Sequence, residues 1–281
     1  MTSVDQLNVE NIVKRSGSSF YWGMKLLPEF KKRAMFSVYA FCRVVDDIAD
    51  NSGTIKSKKI KLNDWKKKIN SIYIKKKKNE SILKELKTAI ESFNLEKKDF
   101  ISIIDGMLMD VKKKIQFPSD TEFELYCKRV AVAVGYLSIR IFGLNSHEGK
   151  KYAYSLGMAF QLTNIVRDFR EDLQIGRCYI PRSKLKKYGI KRSILNLDKT
   201  NKIQKVLQDI LKDADKFFKK ADEISINLDK KKIVASELMK QFYKKIHTKM
   251  FNKNINIKKK VKLNFFDKTL ILIHFILRKK N

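Results

Sequence analysis

Two short acidic segments contain the residues whose types and spacing could do chemistry. The first is AFCRVVDDIAD, in which Asp46 and Asp50 are four residues apart. The second is FQLTNIVRDFRED, in which an oxygen-bearing side chain recurs every four residues, at Asn164, Asp168 and Asp172. Residues four apart share one face of a helix, with Cβ atoms roughly 5–6 Å apart. Each segment therefore predicts a row of oxygen ligands along a helix.

The ligand types in the two rows indicate a particular class of metal. Neither row contains His or Cys, and oxygen-only ligation favours magnesium, or else manganese, over zinc. Magnesium usually keeps several waters and completes its octahedron with substrate phosphates. A lone DxxxD pattern is more often the acidic, solvated end of an amphipathic helix, and the second row is what favours a metal site. The pair of rows predicts a diphosphate held through magnesium ions.

Basic and polar side chains border both rows. They are Tyr39 and Arg43 beside the first row, and Gln161, Arg167, Arg177 and Tyr179 beside the second. Arginines offer fixed donors that suit phosphate oxygens, so the group favours phosphate binding. The competing interpretation is structural salt bridging within RDFRED, with Arg170 and Glu171 on an exposed face.

Helices must position these rows, because apolar residues recur at three- and four-residue intervals along almost the whole chain. This pattern predicts an all-α fold. The predicted helices span 29–50, 58–74, 80–93, 97–114, 121–142, 147–174, 202–226, 231–251 and 264–278. Pro28 can open the first of these, Gly53 follows its end, and Gly176 and Pro181 follow the helix that carries the second row. Both rows thus lie near helix C-termini, where the macrodipole disfavours carboxylates and a bound cation would compensate.

The bulk composition indicates one domain with a basic surface. Of 281 residues, 43% are hydrophobic, and no linker divides the chain, which predicts a single domain over 1–281. Lys and Arg outnumber Asp and Glu by 62 to 30, giving a formal charge of +32. This surface attracts anions, and the alternatives are a merely solvated lysine-rich surface or contact with an anionic membrane. A basic nucleic-acid-binding protein is a rival, but no recognised binding module is evident, so no nucleic acid is expected.

Cysteine usage and hydropathy bear on the compartment. Cys42, Cys127 and Cys178 are far apart and form neither a disulfide framework nor a zinc motif, which fits a reducing, cytoplasmic compartment. The N-terminus lacks the apolar stretch of a signal peptide. The longest apolar run, 269–277, is about half of the roughly 20 residues that a membrane-spanning helix needs. The segment 264–281 either lies on the inner face of the cytoplasmic membrane or packs on the core as a terminal helix.

Longer motifs around the two rows resemble the squalene/phytoene synthase family. The segments SGSSFYWGMKLLP and YAFCRVVDDIAD are similar to its first signature, and YCKRVAVAVG and GMAFQLTNIVRDFREDLQIGRCYIP to its later ones, so residues 15–181 carry the motifs. Three segments are most similar to bacterial presqualene diphosphate synthases of the hopanoid pathway, with phytoene synthases next. These segments are SGSSFYWGM, IDGMLMD and LSIRIFG. The resemblance implies the isoprenoid synthase helical bundle, with a central cavity whose mouth carries both acidic rows.

The resemblance also implies roles for individual residues. It assigns the magnesium ions and diphosphates to Asp46, Asp50, Asn164, Asp168 and Asp172. It assigns the diphosphate and reaction region to Ser19, Phe20, Tyr39, Arg43, Gln161, Arg167, Arg177 and Tyr179. Tyr126, in the YC motif, matches a position close to the reacting carbons.

The reaction implied is the head-to-head joining of two farnesyl diphosphates. Magnesium and arginines would assist ionisation of the first, the double bond of the second would capture the cation, and proton loss would close a cyclopropane. The proton acceptor is either the released pyrophosphate or Tyr126. The alternatives are phytoene synthesis from geranylgeranyl diphosphate, full squalene synthesis with NADPH, and a non-catalytic relative. Downstream squalene-forming enzymes are the expected partners.

A carbocation requires a dry, apolar cavity below the acidic rows. The candidates for its wall are Phe20, Tyr21, Met107, Leu108, Val130, Val134 and Phe160, and those for the space between are Ala131, Ala133 and Gly135. Each of them can equally be ordinary core. Asp105 and Asp110 of IDGMLMD either aid substrate positioning or face solvent.

Overall fold

The computed structural model describes residues 3–18, 20–74, 80–113, 115–195, 197–251 and 260–280. These residues form helices and connecting turns without a strand, and the all-α prediction is confirmed. The helices are α1 (Val4–Arg15), α2 (Phe20–Lys25), α3 (Glu29–Asp50), α4 (Ile55–Tyr73), α5 (Ser81–Phe93), α6 (Lys97–Lys113), α7 (Asp120–Cys127), α8 (Ala133–Phe142), α9 (His147–Arg167), α10 (Phe169–Gln174), α11 (Arg182–Lys187), α12 (Ile203–Ser225), α13 (Lys230–Phe251) and α14 (Phe265–Lys280).

Each of the nine predicted helices is present, but two of them are interrupted. The predicted helix 121–142 is divided into α7 and α8 by a π-helical turn at Lys128–Val132. The predicted helix 147–174 bends at Asp168, where α9 ends and α10 begins. The helices α1, α2 and α11 were not predicted; α1 begins at a capping box in which Ser3 and Gln6 exchange hydrogen bonds.

The long helix α9 lies at the centre of the bundle. Its buried residues are distributed around the whole helix, from Tyr152 to Val166, which is the pattern of a helix covered on every side. It packs against α12 on one side and against α8 and the π-helical turn on another. Because α9 ends at Arg167, this packing fixes the position of the second acidic row.

Two glycines allow neighbouring helices to approach the π-helical turn. A Cβ atom at Gly157 of α9 would lie 2.9 Å from the Cα atom of Val132, and one at Gly106 of α6 would lie 2.6 Å from Cγ1 of Val130. A π-helical turn is wider than an α-helical one, so the helices on either side of it have no room for a side chain there.

Candidate active site

The first acidic row lies at the C-terminal end of α3. The Arg177 guanidinium donates from Nη1 to Asp50 Oδ1 at 2.6 Å and from Nη2 to the carbonyl oxygen of Ala49 at 3.1 Å. Lys58 Nζ donates to the same carbonyl at 2.8 Å. Carbonyls and carboxylates at a helix C-terminus carry negative charge, so these two cations stabilise the end of α3.

Asp46 lies one turn before Asp50 and faces Arg43. Arg43 Nη1 lies 3.3 Å from Asp46 Oδ2, and its Nη2 contacts Asp47. Burial, followed by repulsion from Asp50, raises the pKa of Asp46 to about 7, and the charge of Arg43 only partly offsets this. Burial is therefore the main reason that Asp46 resists ionisation.

The second row continues through the bend between α9 and α10. The backbone N–H of Asp168 donates to the carbonyl of Asn164 at 2.8 Å, and that of Asp172 donates to the carbonyl of Asp168 at 3.0 Å. The four-residue spacing is thus retained across the bend. Asn164 Oδ1 is buried and accepts no hydrogen bond from any residue that the structure describes. A buried carbonyl oxygen of this kind is costly unless a ligand satisfies it.

The two carboxylates of the second row differ in charge state. Burial opposes ionisation of Asp168, but Arg167 (2.8 and 2.7 Å) and Lys260 Nζ (2.9 Å) outweigh it and lower its pKa. For Asp172, burial and then repulsion from Asp168 raise the pKa to about 8. Asp172 is therefore the carboxyl whose charge is least compensated by the protein.

Arg177 joins the two rows. Its backbone N–H donates to the carbonyl of Asp172 at 2.8 Å, while its side chain binds Asp50. Arg177 is 7% exposed, and its pKa is raised because the surrounding carboxylates outweigh the effect of burial. One residue thus places the acidic ends of α3 and α10 at the same site.

A buried cluster of one carboxyl and two phenols lies behind Arg177. Tyr179 donates to Asp110 Oδ1 at 2.7 Å, Tyr126 donates to Oδ2 at 3.1 Å, and the two rings stack at 4.7 Å between centroids. Asp105, the other acid of IDGMLMD, forms an ion pair with Lys66 of α4 instead. Asp110 therefore belongs to the site, and Asp105 holds α6 to α4.

A cavity of about 240 Å³ lies between α2, α3, α8, α9 and α13. We call its end at Tyr39, Gln161 and Asn164 the mouth. Of the wall and space candidates, the structure places these in the lining: Phe20, Val130, Ala131, Val134, Gly135 and Phe160. The other candidates pack in the core away from the cavity: Tyr21, Met107, Leu108 and Ala133. The larger lining side chains that were not predicted are Met24, Met35, Val38, Cys42, Ile139, Phe142, Tyr152, Leu156, Met239 and Tyr243.

The remaining predicted residues take different positions. Tyr39 lines the mouth and donates to Ser16 Oγ at 3.1 Å. Tyr126 and Tyr179 are buried beside the site, outside the lining of the cavity. Ser19 lies outside the described residues.

Two further residues of the site come from beyond the motif region. Tyr243 of α13 stacks on Phe160 at 4.1 Å between ring centroids and packs edge-on against Phe20 at 5.8 Å. Lys260 precedes α14 and contacts both Asp168 and Glu171. Neither residue stands in a motif or in a repeating row, so no sequence signal indicated them.

Comparison with known proteins identifies the class to which this fold and site belong. The profile of the squalene/phytoene synthase family matches residues 13–266, and the chain belongs to that family. The presqualene diphosphate synthase of Zymomonas mobilis is 41% identical over 265 residues, covering 94% of this chain and 89% of the relative. That of Sinorhizobium fredii is 39% identical, covering 82% of each.

Other relatives and solved structures are more distant. A phytoene synthase of Mycobacterium tuberculosis is 35% identical and covers 71% of this chain and 65% of its own. The crystal structure of a dehydrosqualene synthase superposes with a TM-score of 0.82 at 23% identity, over 98% of this chain and 96% of that one. A squalene synthase of Alicyclobacillus acidocaldarius gives a TM-score of 0.78 at 21% identity, over 90% and 95%. These structures share the fold.

Proposed function

We propose that this protein joins two molecules of farnesyl diphosphate head to head to form presqualene diphosphate. The observation that carries the proposal is that Arg177 joins two acidic rows, the second of which starts at Asn164 in the mouth of an apolar cavity. An acidic, arginine-bearing mouth suits a diphosphate, and the cavity suits its prenyl chain. The relatives named presqualene diphosphate synthase, which match most of the chain, support this choice of product.

Magnesium is the metal that the site residues fit. The donors are carboxylate and amide oxygens, and the buried Asn164 Oδ1 has no donor among the described residues. Burial raises the pKa of Asp46 and of Asp172, so a nearby cation would favour the ionised form of both carboxyls. Within the described residues, no three Asp, Glu, His or Cys side chains are close enough to form a metal site by themselves. Magnesium generally completes its coordination with waters and with phosphate oxygens of the substrate.

The holding residues would be Asp46 and Asp50 on one side and Asn164, Asp168 and Asp172 on the other. When bound, magnesium supplies Lewis-acid stabilisation of the charge that develops on the leaving diphosphate.

Basic side chains would bind the diphosphate, and the cavity would protect the cation from water. Arg43, Arg167 and Lys260 already bind carboxylates at the mouth and are the donors available to diphosphate oxygens. The aromatic rings of Phe20, Phe160 and Tyr243 pack together at the mouth, where they exclude water and stabilise an allylic cation. The proton lost on ring closure passes to the released pyrophosphate. The Tyr126 oxygen is the alternative acceptor, and as a neutral phenol it can take up the proton only by giving up its own hydrogen.

Product analysis tests this proposal. Purified protein is incubated with magnesium and either farnesyl or geranylgeranyl diphosphate, with and without NADPH, and the products are identified by mass. We expect presqualene diphosphate from farnesyl diphosphate without NADPH. A C40 product would make the protein a phytoene synthase, squalene formed only with NADPH would make it a full squalene synthase, and no turnover by folded protein would refute an enzymatic role.

Substitutions at the two rows test the residues. We expect Asp46→Ala and Asp168→Ala to abolish turnover while the far-ultraviolet circular dichroism remains helical. Asp215→Ala is the control, because Asp215 forms only a surface ion pair with Lys219 on α12. Near-normal turnover in either row variant would contradict its role.

We also propose that α14 places the enzyme on an anionic membrane surface. Phe265 and Phe266 are 85% and 67% exposed, and Leu270 and Ile273 are also exposed. At 3.6 residues per turn, these four side chains fall within an arc of about 140° on one face of the helix. Residues 244–281 contain eleven lysines, one arginine and a single acid, Asp267. An apolar face within a basic segment suits the interface of an anionic bilayer, and no helix that the structure describes is long and apolar enough to cross one.

Vesicle cosedimentation tests this surface. The full-length protein should bind vesicles that contain anionic lipid, bind less as salt is raised, and bind poorly to purely zwitterionic vesicles. Replacing both Phe265 and Phe266 with Ser should weaken binding, whereas Ile226→Ser, at an exposed apolar residue after α12, should not. Equal binding by the double variant and the wild type would refute the role of α14.

A further inference from the structure

Asp110 is a buried acid that the proposed reaction does not use. It lies on α6, is 4% exposed, and accepts hydrogen bonds from two tyrosines that lie far from it in sequence. A buried carboxylate is costly unless it is fully paired, so a site that retains one needs a physical reason. Here the partners of Asp110 are Tyr126 and Tyr179, which the family resemblance assigns to the reaction region.

The geometry fixes the direction of both hydroxyl groups. Tyr179 donates to Oδ1 and Tyr126 to Oδ2, so each hydroxyl hydrogen points at Asp110. Each phenol oxygen then directs only lone pairs at its other neighbours. The two rings stack at 4.7 Å between centroids with 16° between their planes, so each ring packs against the other.

Arg177 is the third group that Asp110 affects. Burial raises the pKa of Asp110 to about 6, and the charge of Arg177 is the main factor that opposes this rise. The same guanidinium binds Asp50. The charges of Asp110 and Arg177 therefore attract each other inside the bundle.

We propose that Asp110 is a positioning residue that holds the Tyr126 and Tyr179 hydroxyl groups in one orientation beside the two acidic rows. This inference rests on the proposed function. Asp110 acts through the two tyrosines that donate to it. None of these three side chains lines the cavity, so their effect is on the acidic rows and not on the tail of the prenyl chain. A phenol oxygen so held can accept a hydrogen bond or stabilise a cation but cannot donate a hydrogen bond to the diphosphate.

Asp105 provides a matched control on the same helix. Its side chain is about 30% exposed and pairs with Lys66, so it is the same residue type in a structural role. An amide at Asp110 has one accepting and one donating atom, so Asp110→Asn forces one tyrosine hydrogen bond to reverse and removes the charge that faces Arg177. An amide at Asp105 removes only a surface ion pair.

Steady-state kinetics with farnesyl diphosphate test the inference. We expect Asp110→Asn to lower kcat about 100-fold, as misplacement of reacting groups does, while KM changes by less than about threefold. Asp110→Glu should restore part of kcat, and Asp105→Asn should remain within about twofold of the wild type. The effects of Asp110→Asn and Tyr126→Phe should be less than additive in the double variant, because the two residues act as one unit. A folded Asp110→Asn variant with wild-type kcat would overturn the inference.

Two further measurements keep the test decisive. If Asp110→Asn does not fold, Tyr126→Phe and Tyr179→Phe are compared instead, and wild-type kcat in both would overturn the inference. If the wild type turns over no prenyl diphosphate, the proposed function fails, and near-ultraviolet circular dichroism decides about Asp110 alone. The signal of the stacked tyrosines should change in Asp110→Asn and not in Asp105→Asn; equal spectra would contradict the positioning role.

Discussion

Neighbouring carboxyls of this site differ in pKa because each faces different cations. Asp168 accepts three bonds from Arg167 and Lys260, and its pKa is lowered in spite of burial. Asp172 lies one turn further on, where burial and repulsion from Asp168 raise its pKa to about 8. The protein's own cations thus stabilise the ionised form of Asp168, whereas the pKa of Asp172 stays raised.

The raised pKa of Asp172 predicts how stability depends on pH. A carboxyl with a folded pKa near 8 and an unfolded pKa near 3.8 binds more protons in the folded state, so its contribution to stability falls as pH rises between these values. Asp172→Asn removes this penalty. In metal-free protein at pH 8 we expect the variant to be more stable by about 1 kcal/mol or more, roughly 2–4 °C in Tm, with a flatter dependence of Tm on pH. Differential scanning fluorimetry from pH 5 to 8 measures this.

Asp209 is the control, because its pKa is shifted in the direction opposite to that of Asp172. Lys184 and Lys187 lower its pKa against the effect of burial, so its stabilising contribution is present above its unfolded pKa and is lost as pH falls. Asp209→Asn should therefore lower Tm at pH 8. A fall in Tm at pH 8 for both variants would contradict the prediction that ionised Asp172 destabilises the folded protein.

A substitution at Arg177 tests whether the site needs a side chain with two donor groups. Its guanidinium binds Asp50 and the Ala49 carbonyl at once, which a lysine ammonium cannot reproduce in the same geometry. We expect Arg177→Lys to lower kcat/KM by about 100-fold or more with magnesium and farnesyl diphosphate present. Arg182→Lys is the control, since Arg182 is half exposed and pairs only weakly with Glu122 at 3.3 Å. Equal activity of the two variants would contradict a joining role for Arg177.

The sequence specifies the content of each acidic row better than the contacts between rows. Spacing of four places Asp46 with Asp50, and Asp168 with Asp172, because a helical turn does so locally. Arg177 and Asp50 are 127 residues apart, and nothing in a single sequence shows that they pair. Tyr243 and Lys260 were missed for the same reason, since only the packing of α13 and of the segment before α14 brings them to the mouth.

At the scale of helices, periodicity predicts where a helix is but not where it changes pitch. The apolar pattern runs without a break through 121–142 and 147–174, yet Lys128–Val132 forms a π-helical turn and Asp168 bends the second helix. Both irregularities depend on tertiary contacts with neighbouring helices. The short helix α2 was missed because six residues are too few for a periodic pattern.

The contact of α9 with the π-helical turn predicts a stability effect. An alanine at Gly157 would place its Cβ atom 2.9 Å from backbone atom Cα of Val132, so the helices must separate. We expect Gly157→Ala to lower the free energy of unfolding by about 1–3 kcal/mol, as overpacking does, even though alanine favours helices. Urea denaturation followed by circular dichroism measures the change. Lys212→Ala, at an exposed position of α12, should stay within about 0.5 kcal/mol of the wild type, and a stabilised Gly157→Ala would contradict the tight contact.

At the scale of the whole molecule, the length of α3 separates the two ends of the cavity. Lys31 at the start of α3 donates to the carbonyl of Phe142 at 3.0 Å, and Asp46 lies fifteen residues further along the same helix. At 1.5 Å per residue this is about 22 Å along the axis. Phe142 therefore lines the end of the cavity that is far from the acidic rows, where the tail of a prenyl chain would stop.

The position of Phe142 predicts control of chain length. We expect Phe142→Ala to raise the ratio of kcat/KM for geranylgeranyl over farnesyl diphosphate by about tenfold or more, because the longer chain gains space at the closed end. The ratio is measured with both substrates in competition, so the loss of about 3–5 kcal/mol in stability that such a truncation costs does not affect it. Ile141→Ala is the control, since Ile141 is equally buried on α8 but does not line the cavity. If both variants kept the wild-type ratio, the far end of this cavity would not set the length of the substrate, and the chain would have to extend elsewhere in the bundle.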